Sequence, residues 1–180
     1  VADMSYSWKA ANTKINLAAG HASGDVNPHD SATDKRYHGF IGLHENYAGK
    51  RVKSVLMLNA RKAQRPHINR DGNVLIDNSF TDISFVGAGL EWKLPKRNID
   101  VGVNVLGFFK DKASKKVNYN SVTDVLTATN EDANKFMGTE GNLSFTWKLL
   151  PGLELAGQAA VFVPGGYYTD LYGTEVGATF

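Results

Sequence analysis

All three tryptophans of this chain end a segment in which apolar and polar residues alternate, and each stands just before a short run of turn-forming residues. The tryptophans and the turns that follow them are Trp8 with 10–13, Trp92 with 95–98, and Trp147 with 150–152. In a protein made of hairpins, strand ends beside short turns share one rim, so the indoles would form a ring at one height. An indole prefers the polar–apolar boundary of a bilayer. The pattern therefore indicates a β-barrel that stands in a membrane.

Strand periodicity supports this interpretation. Leu143, Phe145 and Trp147 alternate with Asn142 and Ser144, which is the period of two that a half-buried strand requires. We predict an all-β, antiparallel transmembrane barrel with about nine strands of about ten residues each. The predicted strands are 2–9, 14–22, 36–45, 51–61, 79–94, 99–110, 136–149, 153–163 and 170–180.

The connections between these strands alternate in length. The short ones are Ala10–Thr13, Asn46–Lys50, Pro95–Asn98 and Leu150–Gly152, and the long ones are Ser23–Lys35, Lys62–Asn78 and Asp111–Lys135, with Pro164–Thr169 as the exception. Outer-membrane barrels have short periplasmic turns and long external loops. A soluble sandwich has no reason to sort its loops by end.

Aromatic residues flank the long connections as well, so that two belts would enclose an aliphatic band. The residues that we expect at the membrane interface are Trp8, Trp92, Trp147, Phe108, Phe162 and Phe180. Phe109, Phe136, Tyr167 and Tyr168 also stand near the long connections. The alternative is that these are ordinary strand-end aromatics of a soluble sheet.

Composition excludes several classes of protein. The chain has 180 residues and no cysteine, which excludes disulfides, thiolate zinc sites and thiol catalysis. The net charge of +2 is too small to suggest a nucleic-acid partner. No stretch approaches the roughly 20 apolar residues of a membrane helix. The chain begins at Val1 without methionine, so we expect either a mature sequence or a fragment.

The polar side of the alternating strands carries the candidate functional residues. In a barrel this side lines a water-filled lumen, whereas in a soluble sandwich it faces solvent, and alternation alone leaves both open. The predicted pore-lining residues are Lys14, Lys53, Arg61, Glu91, Lys93, Asp100, Glu140, Lys148, Glu154 and Glu175. Their signs are mixed, so each one could instead form a structural ion pair between neighbouring strands.

Nothing in the sequence indicates catalysis. The five histidines form no zinc motif, and there is no Gly-x-Ser-x-Gly elbow. We therefore predict no catalytic residue, no cofactor and no metal. Oxygen-bearing side chains at Asp25, Asn27 and Asp30, and at Asn69, Asp71 and Asn73, could bind calcium, but such residues are also common turn formers.

The end of the chain and three short segments carry resemblances. Terminal Phe180, which shares a face with Tyr172 and Val176, resembles the carboxy-terminal signal of bacterial outer-membrane barrels. The three segments are His21–Asp25 with Asn27–Pro28, Phe136–Glu140, and Phe162–Gly165. In order and spacing they are similar to the carboxy-terminal half of a porin of the alginate-export family.

The resemblance implies a barrel of about eighteen strands, of which about nine here would be half. Residues 1–180 would then be a single barrel region, the carboxy-terminal portion of a longer chain. The alternative is a complete barrel of about eight strands, which has a packed lumen. The family also implies a basic path for an acidic polysaccharide, but the mixed signs favour a more general porin.

The function expected from the sequence is that of a bacterial outer-membrane porin, not an enzyme, for polar or anionic solutes. Its expected partners are the lipid bilayer, the barrel-insertion machinery acting on the last strand, and either the remaining half of the barrel or further copies. Two alternatives remain. One is a small non-conducting barrel for adhesion or anchoring, and the other is a soluble β-sandwich that binds carbohydrate.

Overall fold

The fold was examined in a computed structural model, which describes residues 1–24, 52–58, 66–68, 74–76, 82–120 and 125–172. These residues are mostly strand. The strands are β1 Ala2–Trp8, β2 Thr13–Ala22, β3 Pro66–Ile68, β4 Val74–Ile76, β5 Ile83–Leu94, β6 Ile99–Lys110, β7 Lys115–Asn120, β8 Val125–Asp132, β9 Phe136–Leu150 and β10 Leu153–Pro164. One short helix, α1, follows at Gly166–Tyr172.

Six of the described strands form one antiparallel sheet in the order β1-β2-β5-β6-β9-β10. The pairs β3–β4 and β7–β8 form two separate two-stranded sheets. Short turns join β1 to β2, β5 to β6 and β9 to β10, so they lie at one end of the sheet, the short-turn rim. The strand ends that lead into the long connections, such as Ala22, Ile83 and Lys110, lie at the opposite end, the long-loop rim.

Two of the short turns are built alike. Each is a single 3-10 turn, at Lys9–Ala11 and Pro95–Arg97, and each ends in an asparagine with positive φ, Asn12 (φ 49°) and Asn98 (φ 54°). Asparagine tolerates this left-handed conformation better than most residues. The carbonyl of each asparagine then accepts a hydrogen bond from the next strand of the sheet, from the N–H of Lys93 or Lys148. Each turn is therefore linked by a hydrogen bond to the strand that lies beside its own hairpin in the sheet.

The predicted all-β class is confirmed, and five of the sheet strands agree with their predicted spans to within a residue or two; β5 begins at Ile83 rather than 79. A closed barrel is not formed by the described residues, because β1 and β10 are the two edges of the sheet. The predicted strand at 36–45 lies outside the described residues. The predicted loop Asp111–Lys135 contains the hairpin of β7 and β8.

Two predicted strands are wrong where the structure describes them. Residues 52–58 of the predicted strand 51–61 form bends, because their N–H groups bond to a side chain rather than to a neighbouring strand. Residues 170–172 of the predicted strand 170–180 belong to α1. This helix packs its aromatic rings on the sheet, with Tyr168 against Phe162 at 5.9 Å between ring centroids.

The register divides the sheet into two faces, which we name the apolar face and the polar face. The apolar face carries positions such as Leu17, Val103, Leu143 and Leu155. The polar face carries the residues between them, such as Asn104. Because successive side chains of a strand point to opposite faces, one register sorts all six strands.

The hydrophobic core lies on the polar face, near the long-loop rim. Its buried members are Ala18, Ala22, Val52, Leu58, Ile83, Phe85, Leu106, Phe108 and Met137, with Phe162, Tyr167 and Tyr168 packed against them. The expected interface position of Phe108 and Phe162 is therefore wrong. Phe108 is 0% exposed, and its ring lies between those of Phe85 and Phe162 at 6.4 and 6.5 Å.

Candidate functional site: the polar face

Every charged residue of the six sheet strands lies on the polar face. They are Asp3, Lys14, Glu91, Lys93, Asp100, Lys110, Glu140, Lys148 and Glu154. The apolar face of these strands carries no Asp, Glu, Lys or Arg. Seven of the ten predicted pore-lining residues are thus brought to one face, as the alternation predicts.

The charges near the short-turn rim stand opposite one another in pairs of opposite sign. Lys14 pairs in register with Glu91, and its Nζ lies 3.6 Å from Glu91 Oε1. The same carboxylate oxygen accepts a hydrogen bond from Asn16 Nδ2 at 2.7 Å. Both charged side chains are about a third exposed, so the pair meets water and contributes little to stability.

Two further opposite-sign pairs continue this band across the sheet. Lys93 stands opposite Asp100 on β6, and Lys148 stands opposite Glu154 on β10. Cross-strand neighbours of opposite charge attract, whereas like charges in these positions destabilise a sheet. Lys14 and Glu91 form an ion pair between strands, as the structural alternative expects, while the other two pairs face each other in register. The short-turn half of the polar face is a band of alternating, largely compensated charge.

Glu140 differs from the other charges because it is fully buried. Its carboxylate accepts four hydrogen bonds from residues 52–58, which cross the polar face. Val55 N–H and Leu56 N–H donate to Oε1 at 2.6 and 3.1 Å. Met57 N–H and the Ser54 hydroxyl donate to Oε2 at 2.9 and 2.8 Å. Successive N–H groups that converge in this way form an anion-binding nest.

The crossing segment Val52–Leu58 is held at other points too. Ser54 Oγ also accepts the Leu58 N–H at 2.8 Å, which closes the segment on itself. The Lys53 carbonyl accepts a hydrogen bond from Asn142 Nδ2 at 3.2 Å. Lys53 was predicted to face inward from a wall strand. It lies instead on this segment, with its side chain exposed.

Three asparagines form a row across the middle of the face. Asn16, Asn104 and Asn142 lie at one height, with Gly89 between the first two, and all three are buried. The Oδ1 atoms of Asn16 and Asn142 have no hydrogen-bond partner in the part of the chain that the structure describes. The row separates the charged half of the face from the half filled by the core.

Three of the remaining predicted residues have no described position. Arg61, Glu175 and Phe180 lie outside the described residues, and so do both candidate calcium segments. Sequence reasoning missed Ser54 and the nest around Glu140. The only hint was the mixed character of both faces around Arg51–Ala60, which is unlike a wall strand.

Carboxylates also form an ion pair and hydrogen bonds at the long-loop rim. Lys110 Nζ lies 2.5 Å from Asp82 Oδ2, and the Lys112 N–H donates to Asp82 Oδ1 at 2.7 Å. Asp111 Oδ2 accepts the Gly24 N–H at 3.0 Å. This backbone hydrogen bond lowers the pKa of Asp111, partial burial opposes it, and the charge of Lys112 adds to the lowering. The rim therefore joins the ends of β2, β5 and β6.

The apolar face bears the tryptophans where they were expected. Trp8, Trp92 and Trp147 all stand on it close to the short-turn rim, and all are exposed. Between the rims the aliphatic side chains are exposed as well, with Leu143 at 51% and Leu155 at 50%. At the long-loop rim Phe109 contacts Phe136, with 5.3 Å between ring centroids. Phe109 and Phe136, rather than Phe108 and Phe162, mark this rim of the apolar face.

Two segments of the resemblance meet in space. Pro164 stands opposite Gly138, and the Gly165 N–H donates to the Met137 carbonyl at 2.7 Å. Gly138 has a φ of 144°, and a Cβ there would lie 2.3 Å from the Val163 carbonyl oxygen. This junction of β9 and β10 therefore requires glycine, and it lies two residues before Glu140.

Within the described ranges, no group of three or more His, Asp or Glu residues is placed to hold a metal ion. No helix among the same residues is both long and apolar enough to cross a membrane. Comparison with protein-family models, with curated proteins and with solved structures found no match for this chain.

Proposed function

We propose that this chain forms part of the wall of a bacterial outer-membrane porin, and that small polar or anionic solutes diffuse through this porin along the polar face. Acidic oligosaccharides of the kind implied by the resemblance to alginate-export porins belong to this solute class. The proposed mechanism is electrostatic filtering in a water-filled path, with no covalent step and no cofactor.

The observation that carries the proposal is the complete separation of charge between the faces. All nine charged residues of the six strands of the sheet share the polar face, while large apolar side chains are exposed on the other. A contiguous apolar surface of this extent marks contact with a partner or a membrane. The soluble sandwich would require a second layer over Leu143 and Leu155, and no such layer covers them among the described residues.

The height of the apolar band suits a bilayer. On β6 the apolar face runs from Ile99 to Phe109 without a charge. At about 3.3 Å per residue this is roughly 33 Å along the strand, or roughly 23 Å across a membrane at a tilt of about 45°. Outer-membrane barrels present an apolar band of about 25 Å.

The aromatic residues and the sheet edges agree with this location. Tryptophans at one rim, and Phe109 with Phe136 at the other, stand where headgroups would meet the band. An open sheet edge is costly in hydrocarbon, so we propose that further strands or a second copy complete the wall beyond β1 and β10. The barrel-insertion machinery is a further proposed partner.

A second candidate function is a non-conducting barrel that anchors its long loops at the cell surface. One observation favours it, because the core around Phe108 and the crossing segment fill the long-loop half of the polar face. A small barrel with a packed lumen has this character. Adhesion or anchoring would then depend on the long connections.

Single-channel recording in planar bilayers distinguishes the two candidates. The porin gives stable conductance steps, whereas the anchor gives none. In the porin, changing Lys93 and Lys148 together to glutamate shifts ion selectivity toward cations, since it replaces two positive charges beside Asp100 and Glu154. The matched control is Lys116→Glu, on the separate β7–β8 hairpin, with a smaller expected shift. Unchanged selectivity in the double variant would refute the assignment of these lysines to the path.

A further inference from the structure

We infer that Glu140 is the positioning residue of a constriction, because its carboxylate holds Val52–Leu58 across the polar face in the path of the solute. The inference rests on the proposed pore and deepens it, since it names the element that sets the width of the pore. It follows from the burial of Glu140, the donors around it and the exposed side of the crossing segment.

The position of Glu140 is energetically unfavourable for a charged side chain. It lies on β9 between Leu106 on β6 and Phe162 on β10, and it is fully buried. Removing a carboxylate from water costs several kcal/mol unless it is fully hydrogen-bonded. An apolar residue here would join the core at no such cost, so the carboxylate is explained by what it binds.

Among the described residues, Glu140 binds four donors, and these belong to one short segment. Each carboxylate oxygen accepts two hydrogen bonds, and three of the four donors are consecutive backbone N–H groups, those of Val55, Leu56 and Met57. Hydrogen bonds to a charged acceptor are roughly twice as strong as neutral ones. The described donors are all neutral, so the carboxylate acts as the anion of a nest and not as half of an ion pair.

Apolar contacts fix the two ends of the same segment. Val52 and Leu58 are both buried in the core cluster. Room for Val52 exists because Gly87 on β5 has no side chain, since a Cβ there would lie 3.0 Å from Val52 Cγ1 and 2.9 Å from Leu106 Cγ. The segment is thus held at its ends by apolar packing and in its middle by Glu140.

The opposite side of the segment faces away from the sheet. Lys53 and Leu56 are exposed, whereas Val52, Ser54 and Leu58 are buried. Lys53 is the charged residue within Val52–Leu58. The segment therefore presents one positive and one apolar side chain to the space beside the polar face, and in a pore that space is the solute path.

The test is Glu140→Gln in the whole chain, with two measurements. Amide hydrogen exchange in lipid vesicles reports the segment directly, and single-channel conductance reports the pore. A glutamine amide places N–H donors against two of the four donors, so the N–H groups of Val55–Met57 should exchange at least about tenfold faster. Exchange in β6 should not change. Conductance should rise roughly twofold as the segment leaves the path.

Two further variants separate anchoring from general damage. Glu131→Gln makes the same chemical change at an exposed position on the separate β7–β8 hairpin, and it should alter neither measurement. Gly87→Val displaces Val52 from the other side of the segment while leaving Glu140 intact, and it should speed exchange and raise conductance as Glu140→Gln does. If Glu140→Gln does not fold, Gly87→Val still decides whether the segment narrows the pore.

The outcomes distinguish the inference from the proposed function. Unchanged exchange at Val55–Met57 in Glu140→Gln overturns the anchoring role, whether or not the protein conducts. Faster exchange with unchanged conductance, in a protein that does form channels, overturns the constriction. Faster exchange without channels in any variant overturns the porin and supports Glu140 as the anchor of a plug.

Discussion

The two faces of the six-stranded sheet are made by the same strands, yet they follow opposite rules of burial. On the apolar face Leu143 and Leu155 are about half exposed. On the polar face Asn16, Asn142 and Glu140 are buried. Exposed apolar side chains are ordinary when they are scattered, but a whole face of them is not. Buried polar side chains are equally informative.

This difference in burial indicates what kind of surroundings each face requires. An exposed aliphatic face is stable when its medium is apolar as well, which is the argument for lipid. Buried polar groups are stable when protein donors replace water, and the segment Val52–Leu58 supplies four of them to Glu140. The faces differ because the described chain covers part of the polar face and leaves the apolar face uncovered.

Alanine substitutions at two adjacent phenylalanines test this difference between the two faces. They have the largest expected effect on stability. Phe108 is 0% exposed in the core, while Phe109 is 39% exposed on the apolar face. Phe108→Ala should lower the free energy of unfolding in detergent micelles by about 3–5 kcal/mol, because it opens a cavity among packed rings. Phe109→Ala should cost about 1 kcal/mol, mainly through its contact with Phe136. Equal losses would contradict the assignment of the two residues to opposite faces.

Substitutions to arginine at two neighbouring positions of β10 test which medium each face contacts. Ala159 and Gln158 are neighbours, both are exposed, and they lie on the apolar and polar faces respectively. Arginine at the middle of a lipid-facing band costs about 2–4 kcal/mol. Ala159→Arg should therefore reduce the yield of folded protein in lipid vesicles, whereas Gln158→Arg should insert as the parent does. A water-soluble protein would tolerate both, so equal yields contradict the bilayer.

Much of this comparison could be predicted from the sequence, because alternation is a local property. The strand Phe136–Leu150 follows from its own residues, and so does the side on which Asn142 or Leu143 lies. The tryptophan rim follows as well, since each indole stands beside its own turn. Seven pore-lining candidates were placed on one face by this reasoning alone.

Contacts between distant residues could not be predicted in the same way. Ser54 and Glu140 are 86 residues apart, and only the fold brings them together. Phe108 and Phe109 are consecutive aromatics, so composition alone does not tell which one enters the core. Alternation along β6 puts Phe108 on the polar face and Phe109 on the apolar face, but only the fold shows that the core covers the polar face there. The turn from β10 into α1 likewise depends on packing of Tyr168 against Phe162.

Acid should weaken the long-loop rim through Asp111. The Gly24 N–H lowers the pKa of Asp111 in the folded protein below that of an ordinary aspartate. The stability gained from this contact is therefore present at neutral pH, and it is lost as the pH falls below the ordinary aspartate range and through the lowered pKa. Hydrogen exchange at Gly24, compared with its intrinsic rate, should accelerate across that interval.

Variants at two aspartates isolate this small effect. Asp111→Asn removes the titrating group, so protection of Gly24 should no longer change with acid. Asp132 also has a lowered pKa, caused first by its hydrogen bond from Lys115, but it is fully exposed on the β8 hairpin. Asp132→Asn should therefore leave the acid response of Gly24 intact. If the Asp111→Asn protein keeps that response, Asp111 does not link the rim to pH and the prediction is wrong.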